Sequence, residues 1–412
     1  MASLSDVLST IQNGVVALNN LTIQMKGSLL NIFGQLSTDA TNIATNTANI
    51  ATNTADISST IGEISALNGL QINGSMEVSQ ELGGTATSTN GAYIMDGWIY
   101  AKNGTMVCSA AQTASSTQFP GFSNYLNISV GTAQVSLGAG DFTVIVQRIE
   151  GYRVARLNFG TANAQPITIG FWTAHHRIGL YSGAIRNNAF TRSYAFSYTQ
   201  AVADTPQFNT VTIPGDTTGT WLTTNGTGLS ICFAMACGST YLAAAGAWSA
   251  SGLIGATGQI NGVAATSDVF RITGVIVLQG DKAPTAAQSP HIMRPFDAEL
   301  AICQRYYEKS YDYTSAISSA TLNGAPYWIG VAAATGNAIN LYASFTTSKR
   351  AVPTMTWYSP IDGTSGKIYD PINGVNLNSN NYAIGEHGST VYAIIGTDTS
   401  QLTGHWVADA RL

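Results

Sequence analysis

The first 67 residues of the 412-residue chain carry a seven-residue hydrophobic repeat that keeps one register throughout. Apolar side chains recur at alternating spacings of four and three, which is the pattern of a coiled-coil seam. An uninterrupted seven-residue period predicts a left-handed supercoil. A single helix of this length has no other surface against which to bury its apolar stripe, so the segment is predicted to be oligomeric. The first core position of each heptad, a, is taken by Leu8, Val15, Thr22, Leu29, Leu36, Ile43, Ile50, Ile57 and Ile64.

One heptad of this segment, Ile-Ala-Thr-Asn-Thr-Ala-Asn/Asp, occurs twice and places Asn46 and Asn53 at the second core position, d. Buried Asn lowers stability but specifies register and oligomeric state. The pattern resembles the stalks of trimeric autotransporter adhesins and phage fibres, in which Asn rings hold an anion or water on the threefold axis. The resemblance implies a homotrimer with such an axial anion or water, and a dimeric or intramolecular coiled coil is the alternative. The predicted oligomer core contains Ile43, Asn46, Ile50, Asn53, Ile57, Thr60 and Ile64.

After Asn68-Gly69 the helical period ends, and short runs rich in Val, Ile, Thr and aromatic residues follow, separated by Gly, Asn and Pro. Regularly spaced strands without intervening helices predict an antiparallel sandwich or jelly roll. Residues 299–307 are amphipathic and predict a short helix, after which a second strand series begins. The predicted fold class is therefore mainly β with an N-terminal α-helical coiled coil.

Composition excludes several classes of protein. A net charge of −5 argues against a nucleic-acid partner held by phosphate neutralisation, and 45% apolar residues argue against disorder. No run approaches the roughly 18 apolar residues of a membrane span, and the first residues lack the features of a secretion signal. We therefore expect a soluble chain made in a cytoplasm. The scattered cysteines are expected to be buried and free: Cys108, Cys232, Cys237 and Cys303.

Short motifs between residues 70 and 310 carry a second resemblance. They are Asn-Gly-Ser-Met at 73–76, Asp-Gly-Trp at 96–98, Gln-Arg-Ile-Glu-Gly-Tyr at 147–152, Ile-Pro-Gly-Asp-Thr-Thr-Gly-Thr-Trp at 213–221, and Arg-Pro-Phe at 294–296 with Cys-Gln-Arg-Tyr-Tyr at 303–307. Together they resemble the carbohydrate-binding-module-like jelly roll of tail-fibre and minor structural proteins of tailed phages. Residues 349–360 and 406–412 resemble the small C-terminal β domain of the same fibres.

These resemblances imply a homotrimeric virion fibre, made in the bacterial cytoplasm and acting outside the cell. Its N-terminus would dock on tail, collar or head proteins, and its β domains would bind bacterial surface polysaccharide. A collar, whisker or head fibre that binds only other virion proteins is the alternative, and a capsule-degrading spike is a third. The predicted division is a docking segment and coiled-coil stalk at 1–68, a lectin-like jelly roll at 69–298, a helical linker at 299–312 and a β tip domain at 313–412.

Sugar binding requires exposed aromatic faces beside groups that hydrogen-bond hydroxyls. Residues 171–177 and 186–194 concentrate both types, and Trp357 and Tyr358 are equally plausible near the C-terminus. Core packing is the alternative for each tryptophan. The predicted ligand-binding residues are Trp172, His175, Arg177, Arg186, Arg192, Tyr194, Trp357 and Tyr358.

Catalysis and metal binding find little support in the sequence. His175-His176 is the single histidine pair, and adjacent strand residues face opposite sides of a sheet. Carboxylates such as Asp96 and Asp216 show no spacing that indicates a glycosidase pair, and no Gly-rich phosphate loop is present. We therefore predict a protein that is not an enzyme, with no catalytic or metal site and no cofactor besides the axial anion or water.

Overall fold

The computed structural model describes residues 3–67, 69–115, 117–330, 336–396 and 400–412, and the chain divides into two units, Met1–Ile61 and Gly62–Leu412. Helix α1 (Leu4–Leu67) is 64 residues long, and its residues up to Ile61 belong to the first unit. At 1.5 Å per residue the helix measures about 100 Å. No helix in the described ranges is long and apolar enough to cross a membrane.

Helix α1 begins with a reciprocal cap. The Asp6 carboxylate accepts a hydrogen bond from the Ser3 amide at 3.0 Å, and the Asp6 amide donates to Ser3 Oγ at 3.3 Å. Hydrogen bonds from Ser3 also hold the pKa of Asp6 below its ordinary value. The helix leaves its core-position side chains exposed, with Ile43 and Ile50 each at 66%. The side chains of Ile57, Thr60 and Ile64 lie outside the described residues.

The second unit opens with a sandwich of two antiparallel sheets. A seven-stranded sheet has the order β1-β2-β5-β10-β7-β8-β12, and a five-stranded sheet has the order β3-β4-β14-β6-β9. Strands β11 and β13 form a small parallel pair. The strands are β1 (Tyr93–Met95), β2 (Trp98–Asn103), β3 (Val107–Ala114), β4 (Asn124–Thr132), β5 (Phe142–Glu150), β6 (Ile167–Thr173), β7 (Gly179–Arg186), β8 (Ser193–Gln200), β9 (Gln207–Ile213), β10 (Thr227–Cys237), β11 (Leu242–Ala243), β12 (Trp248–Ser249), β13 (Gly255–Ala256) and β14 (Val269–Gln279).

The main core lies between the two sheets because alternate residues of each strand face inward. Ile145 and Phe233 of the seven-stranded sheet belong to the same buried cluster as Phe171 and Phe270 of the five-stranded sheet. Phe171 and Phe233 meet edge to face, with ring centres 4.9 Å apart. Helix α2 (Gly151–Val154) and a 3₁₀ turn at Ala155–Leu157 follow β5. The sandwich topology agrees with the predicted strand series.

The motifs that carry the second resemblance meet in buried polar contacts. The Asn73 side chain, fully buried, donates to the carbonyls of Val78 and Asp96, and the Trp98 indole donates to the Asn73 carbonyl at 3.0 Å. Glu299 accepts from the Asn73 amide at 2.6 Å and from Arg294 at 2.7 Å. These contacts join segments that are distant in the chain. The motif residues named here therefore stabilise the fold by connecting these segments.

A second β region follows helix α3 (Phe296–Gln304). Three small sheets have the orders β15-β24-β18, β16-β23-β19-β20 and β17-β22-β21, around a core that includes Leu341, Trp357 and Trp406. The strands are β15 (Tyr307–Lys309), β16 (Tyr327–Gly330), β17 (Ala338–Ser344), β18 (Thr354–Tyr358), β19 (Lys367–Asp370), β20 (Val375–Asn378), β21 (Asn380–Ile384), β22 (Gly388–Ile394), β23 (Ser400–Thr403) and β24 (His405–Asp409).

The linker predicted at 299–312 differs from this arrangement. Its helix ends at Gln304, and Tyr307–Lys309 pairs as a strand with residues 407–409. Residues 307–309 are extended because their backbone groups form hydrogen bonds with strand β24, which a helix at this position could not do. Lys349, with no exposed surface, is held beside this strand by Glu308 and by the Gln304 carbonyl at 2.6 Å.

Candidate functional site

The outer face of the seven-stranded sheet, turned away from the main core, carries a groove made of two adjoining cavities of about 170 and 520 Å³. Both cavities are lined by Ala101, Arg186 and Phe190. We call this feature the sheet groove. Its further lining residues are Gly91, Tyr93, Ile99, Val146, Arg148, Ser230 and Leu412 in the smaller cavity, and Phe142, Val144, Thr240, Tyr241, Ser251, Gly252 and Ile254 in the larger one.

The floor of the sheet groove is apolar. Ile99 pairs with Val146 across β2 and β5, and the neighbouring row joins Ala101 to Val144. Because side chains alternate along a strand, these residues share the outer face while Ile145 turns into the main core. Ile254 packs on the same cluster from the segment that partly covers the sheet. The floor therefore offers a surface suited to an apolar face of a ligand.

One end of the sheet groove is polar and basic. Ser230 of β10 pairs with Arg148 of β5 on one side and with Arg186 of β7 on the other. The three residues thus form one row across three adjacent strands. Strand spacing of about 4.8 Å puts the two arginine Cα atoms roughly 10 Å apart, within reach of one shared group.

Phe190 stands at the rim of the groove in the turn between β7 and β8. The buried Asn187 side chain accepts from the amides of Thr191 at 2.9 Å and Arg192 at 3.1 Å, which fixes this turn. Phe190 itself has φ +56° and remains 49% exposed. The Arg186 guanidinium carbon lies 4.4 Å from its ring centre. A Cβ on Gly252 would lie 2.9 Å from the Phe190 Cβ, so glycine permits this close approach.

Three further aromatic residues complete the walls. The rings of Phe142 and Tyr241 meet edge to face at 5.5 Å. Tyr93 donates from its hydroxyl to the Leu412 carbonyl oxygen at 2.6 Å, and the Arg411 guanidinium lies over its ring at 4.2 Å. Burial raises the pKa of Tyr93, so its hydroxyl is neutral at ordinary pH. The groove therefore combines ring faces with hydrogen-bond donors.

The lining that the structure describes for the groove includes two arginines and no Asp or Glu side chain. Beneath it, burial raises the pKa of the Cys232 thiol, although the nearby Arg186 and Arg148 act in the opposite direction. The thiol is therefore uncharged and unreactive at neutral pH. The described ranges also contain no group of three or more His, Cys, Asp or Glu side chains placed to hold a metal ion.

Of the predicted ligand-binding residues, Arg186 lines the sheet groove. Arg192, at the other end of the same turn, donates from Nε to Asp216 at 2.9 Å. Burial alone would raise the pKa of Asp216, but the hydrogen bonds from Arg192 and Trp221 outweigh it and lower the pKa. Tyr194 is buried, edge to face with Trp248 at 5.4 Å. Both residues therefore stabilise the fold rather than line a cavity.

The residues predicted around position 175 lie beside the five-stranded sheet. Trp172 donates from its indole to Ser289 Oγ at 2.7 Å, and Arg177 forms paired 2.9 Å hydrogen bonds with Asp268. His175 has no exposed surface and stacks on Phe270 with ring centres 4.1 Å apart.

Both ring nitrogens of His175 are occupied within the protein. Nδ1 accepts from the Arg271 amide at 3.1 Å, so Nε2 carries the proton and faces the Tyr198 hydroxyl at 3.1 Å. Burial, with a smaller effect of Arg271, holds the pKa of His175 well below its ordinary value. As a neutral core residue it offers no surface to a ligand, which corrects the expectation of an exposed binding side chain.

The two predicted residues near the C-terminus also do not join the groove. Trp357 is 1% exposed and donates from its indole to the Asn381 side chain at 3.1 Å, so it is a core residue. Tyr358 is half-buried, edge to face with Tyr311 at 6.3 Å. The predicted ligand-binding residues therefore lie in three separate places: at or near the sheet groove, beside the five-stranded sheet, and in the C-terminal β region.

Sequence reasoning did not select Arg148, Phe190 or Tyr241. A signal for Arg148 exists in β5, where Val144, Val146 and Arg148 alternate along the outer face. Phe190 and Tyr241 lie in connecting segments, where sequence periodicity gives no indication of which way a ring points.

No protein-family model matches the sequence, and no curated protein matches it. Among solved structures, tailspike protein 4 of bacteriophage CBA120 matches at 13% identity over 48% of this chain, with a TM-score of 0.25, and the match spans 21% of that chain. The family 11 carbohydrate-binding module of Clostridium thermocellum, in complex with a mixed-linked tetrasaccharide, matches at 13% identity over 49% of this chain and 99% of that chain, with a TM-score of 0.25.

A third solved structure, the carbohydrate-binding module TmCBM61 in complex with β-1,4-galactotriose, matches at 10% identity over 51% of this chain and 98% of that chain, with a TM-score of 0.27. At these identities and TM-scores, the fold and function of this chain have to be argued from its own residues.

Proposed function

We propose that the chain is a homotrimeric fibre of a bacteriophage virion that attaches the particle to the bacterial surface by weak, multivalent binding of surface glycan. The observation that carries this proposal is the sheet groove, which joins an apolar floor, the half-exposed Phe190 ring and the Arg186 guanidinium. A pyranose ring has apolar faces and a rim of hydroxyls. It therefore suits a cleft that combines aromatic faces with a few hydrogen-bond donors. The proposal assigns binding and no catalysis.

Helix α1 supports the trimeric part of the proposal. Leu29, Ile43 and Ile50 are between 54% and 66% exposed, and every other helix side chain at positions 4–54 is exposed over more than a third of its surface. Association of helices would bury this stripe and stabilise each of them. We assign three parallel copies, with Asn46 and Asn53 facing the axis and holding an anion or water between them.

Three linked grooves raise the apparent affinity of a weak site without any new contact, because each later binding event is intramolecular. This suits a groove that offers few polar groups to each ligand. In this proposal the N-terminal end of the helix docks on a tail, collar or head protein. The chain is made in the bacterial cytoplasm and acts outside the cell as part of the virion.

The test is binding of labelled full-length protein to an array of purified bacterial surface polysaccharides and to intact bacterial cells. We expect saturable binding that is lost after periodate oxidation of the sugars. Phe190→Ala and Tyr241→Ala are expected to weaken binding about tenfold each, since the first removes an exposed ring and the second a half-buried ring from the groove. Tyr342→Ala is the matched control, because Tyr342 is 60% exposed and does not line the groove.

Other outcomes would favour other functions. Absence of binding to every polysaccharide and cell, by a protein shown to be folded, would favour a collar, whisker or head fibre that binds virion proteins alone. Release of reducing sugar from a bound polysaccharide would favour a capsule-degrading spike. Equal loss of binding with Tyr342→Ala would contradict the assignment of the groove.

A further inference from the structure

The two arginines of the sheet groove differ from most arginines of the second unit. Arg177, Arg192, Arg294 and Arg305 each pair with a carboxylate at 2.9 Å or less. Among the described residues, by contrast, neither Arg148 nor Arg186 has an Asp or Glu side chain within ion-pair distance. In a chain of net charge −5, two guanidiniums that no Asp or Glu neutralises give this cleft a local basic character.

The guanidinium of Arg186 retains unused donors. Its Nε is buried and finds no acceptor within the described ranges, and the group lies against the face of Phe190. Arg148 is exposed, lines the groove and donates from one terminal nitrogen to the main-chain oxygen of Leu412 at 2.6 Å. A half-buried guanidinium with an unused buried donor, as at Arg186, is unfavourable until a ligand supplies an acceptor.

Both arginines extend from one row of the sheet. Ser230 pairs with each of them, so the two guanidiniums flank a single position at the end of the apolar floor. Arg411, whose guanidinium lies over the Tyr93 ring, pairs with Glu81 and Asp409. Among the described residues that line the groove, Arg148 and Arg186 are therefore the cations without an Asp or Glu partner.

We infer that the sheet groove binds an acidic polysaccharide, with an oxyanion of the sugar chain held between Arg148 and Arg186 and neutral rings lying along the apolar floor towards Tyr241. This inference rests on the proposed glycan-binding function of the groove. The oxyanion is the carboxylate of a uronic acid or a phosphate. Both suit the planar donor array of arginine, which binds either group through paired hydrogen bonds.

The experiment compares binding of the full-length protein to acidic and neutral members of one array of bacterial surface polysaccharides. Each bound acidic polysaccharide is then tested again after carboxyl reduction or after removal of its phosphate. We expect binding to be confined to acidic members, to weaken as the NaCl concentration rises, and to be lost after one of the two treatments. The treatment that removes binding identifies carboxylate or phosphate as the source of the charge.

Arg186→Gln and Arg148→Gln are each expected to weaken binding about tenfold to a hundredfold, the range of a hydrogen bond to a charged group. Arg186→Lys should recover part of the affinity. Arg156→Gln is the matched control. It removes the same charge, but Arg156 is exposed and does not line the groove. Unchanged melting temperatures would show that each variant is folded.

Three results would overturn the inference. If neutral polysaccharides bind as tightly as acidic ones, and binding still requires Phe190, glycan binding stands and the acidic ligand is wrong. If acidic polysaccharides bind but Arg186→Gln and Arg156→Gln weaken binding equally, the groove is not the site that binds the negative charge of the polysaccharide. Absence of binding to any polysaccharide would contradict the proposed function itself and the inference with it.

Discussion

Helix α1 and the β-sandwich are stabilised in different ways. Ile43 and Ile50 of the helix are each 66% exposed, whereas Ile145 and Phe233 of the sandwich have no exposed surface. A helix satisfies its backbone hydrogen bonds within one segment, so it extends without bringing distant residues together. Strands bond to one another, and in doing so they bring side chains from distant parts of the chain into one core. In the proposed trimer the helix is stabilised by other copies of the chain, whereas the core of the sandwich is formed within one chain.

The largest expected effect comes from charging the seam of the helix. Ile43→Asp combined with Ile50→Asp should abolish association, because each carboxylate buried without a partner costs several kcal/mol. Light scattering after size-exclusion chromatography should then report a monomer whose sandwich still melts at the original temperature. The matched control, Thr45→Asp with Thr52→Asp, adds the same charge outside the seam and should stay oligomeric. An oligomeric seam variant would contradict the assigned core.

The second change strengthens the same seam. Asn46→Ile with Asn53→Ile should stabilise the helix by about 2 kcal/mol per substitution in each chain, from apolar burial alone. It should also loosen the preference for one oligomeric state, because buried Asn specifies that state. Thermal melting monitored by circular dichroism gives the first result, and analytical ultracentrifugation gives the second. A unique trimer with a lower melting temperature would be the opposite result on both measurements.

A third change tests whether the sandwich is stabilised within its own chain. Asp216→Ala should destabilise it by about 3 kcal/mol, since Asp216 is 1% exposed and its removal leaves Arg192 without its carboxylate. The Trp221 indole would keep only its longer hydrogen bond to the Thr218 carbonyl, at 3.3 Å. Urea unfolding monitored by tryptophan fluorescence measures the loss, which should not depend on protein concentration. Asp204→Ala is the control, because its carboxylate is 44% exposed and should contribute less than about 1 kcal/mol. Equal losses would contradict the distinction.

The smallest effect is a pH dependence confined to the sandwich. Burial, partly offset by hydrogen bonds from Gln80, raises the pKa of Asp96 to about 6. Below about pH 4 the carboxyl is protonated in both states, and between pH 4 and 6 it ionises in the unfolded chain first. Stability therefore falls as pH rises through this window, by up to about 3 kcal/mol at 1.36 kcal/mol per pKa unit.

Asp96→Asn cannot ionise, so its stability relative to the original protein should increase between pH 4 and 6 and then stay constant. His175, whose lowered pKa acts in the opposite direction, is present in both proteins and cancels from the difference. Urea titrations at each pH provide the measurement. A stability difference independent of pH would show that Asp96 is not held protonated, and melting of helix α1 should show no such window.

The sequence predicted elements better than it predicted the site. The heptads of residues 4–67 predict helix α1, and the alternation in strands such as β5 predicts a sandwich, because both patterns are local. The site prediction relied on proximity in sequence between aromatic and basic residues. That criterion selected Arg186 together with Arg192, which is six residues away and engaged by Asp216. It also selected His175 and Trp357, whose burial depends on residues far along the chain.

Local periodicity by itself determined where the chain is helical, which helix positions carry the apolar repeat and that strands follow, since each depends on the side chains of neighbouring residues. Tertiary structure decided which polar groups stay available to a ligand. The pairing of β5, β10 and β7 brought Arg148, Ser230 and Arg186 into one row, and a turn held by Asn187 placed Phe190 above it. The physical reason is that a charge is free or neutralised according to its neighbours in space, and strand pairing sets those neighbours.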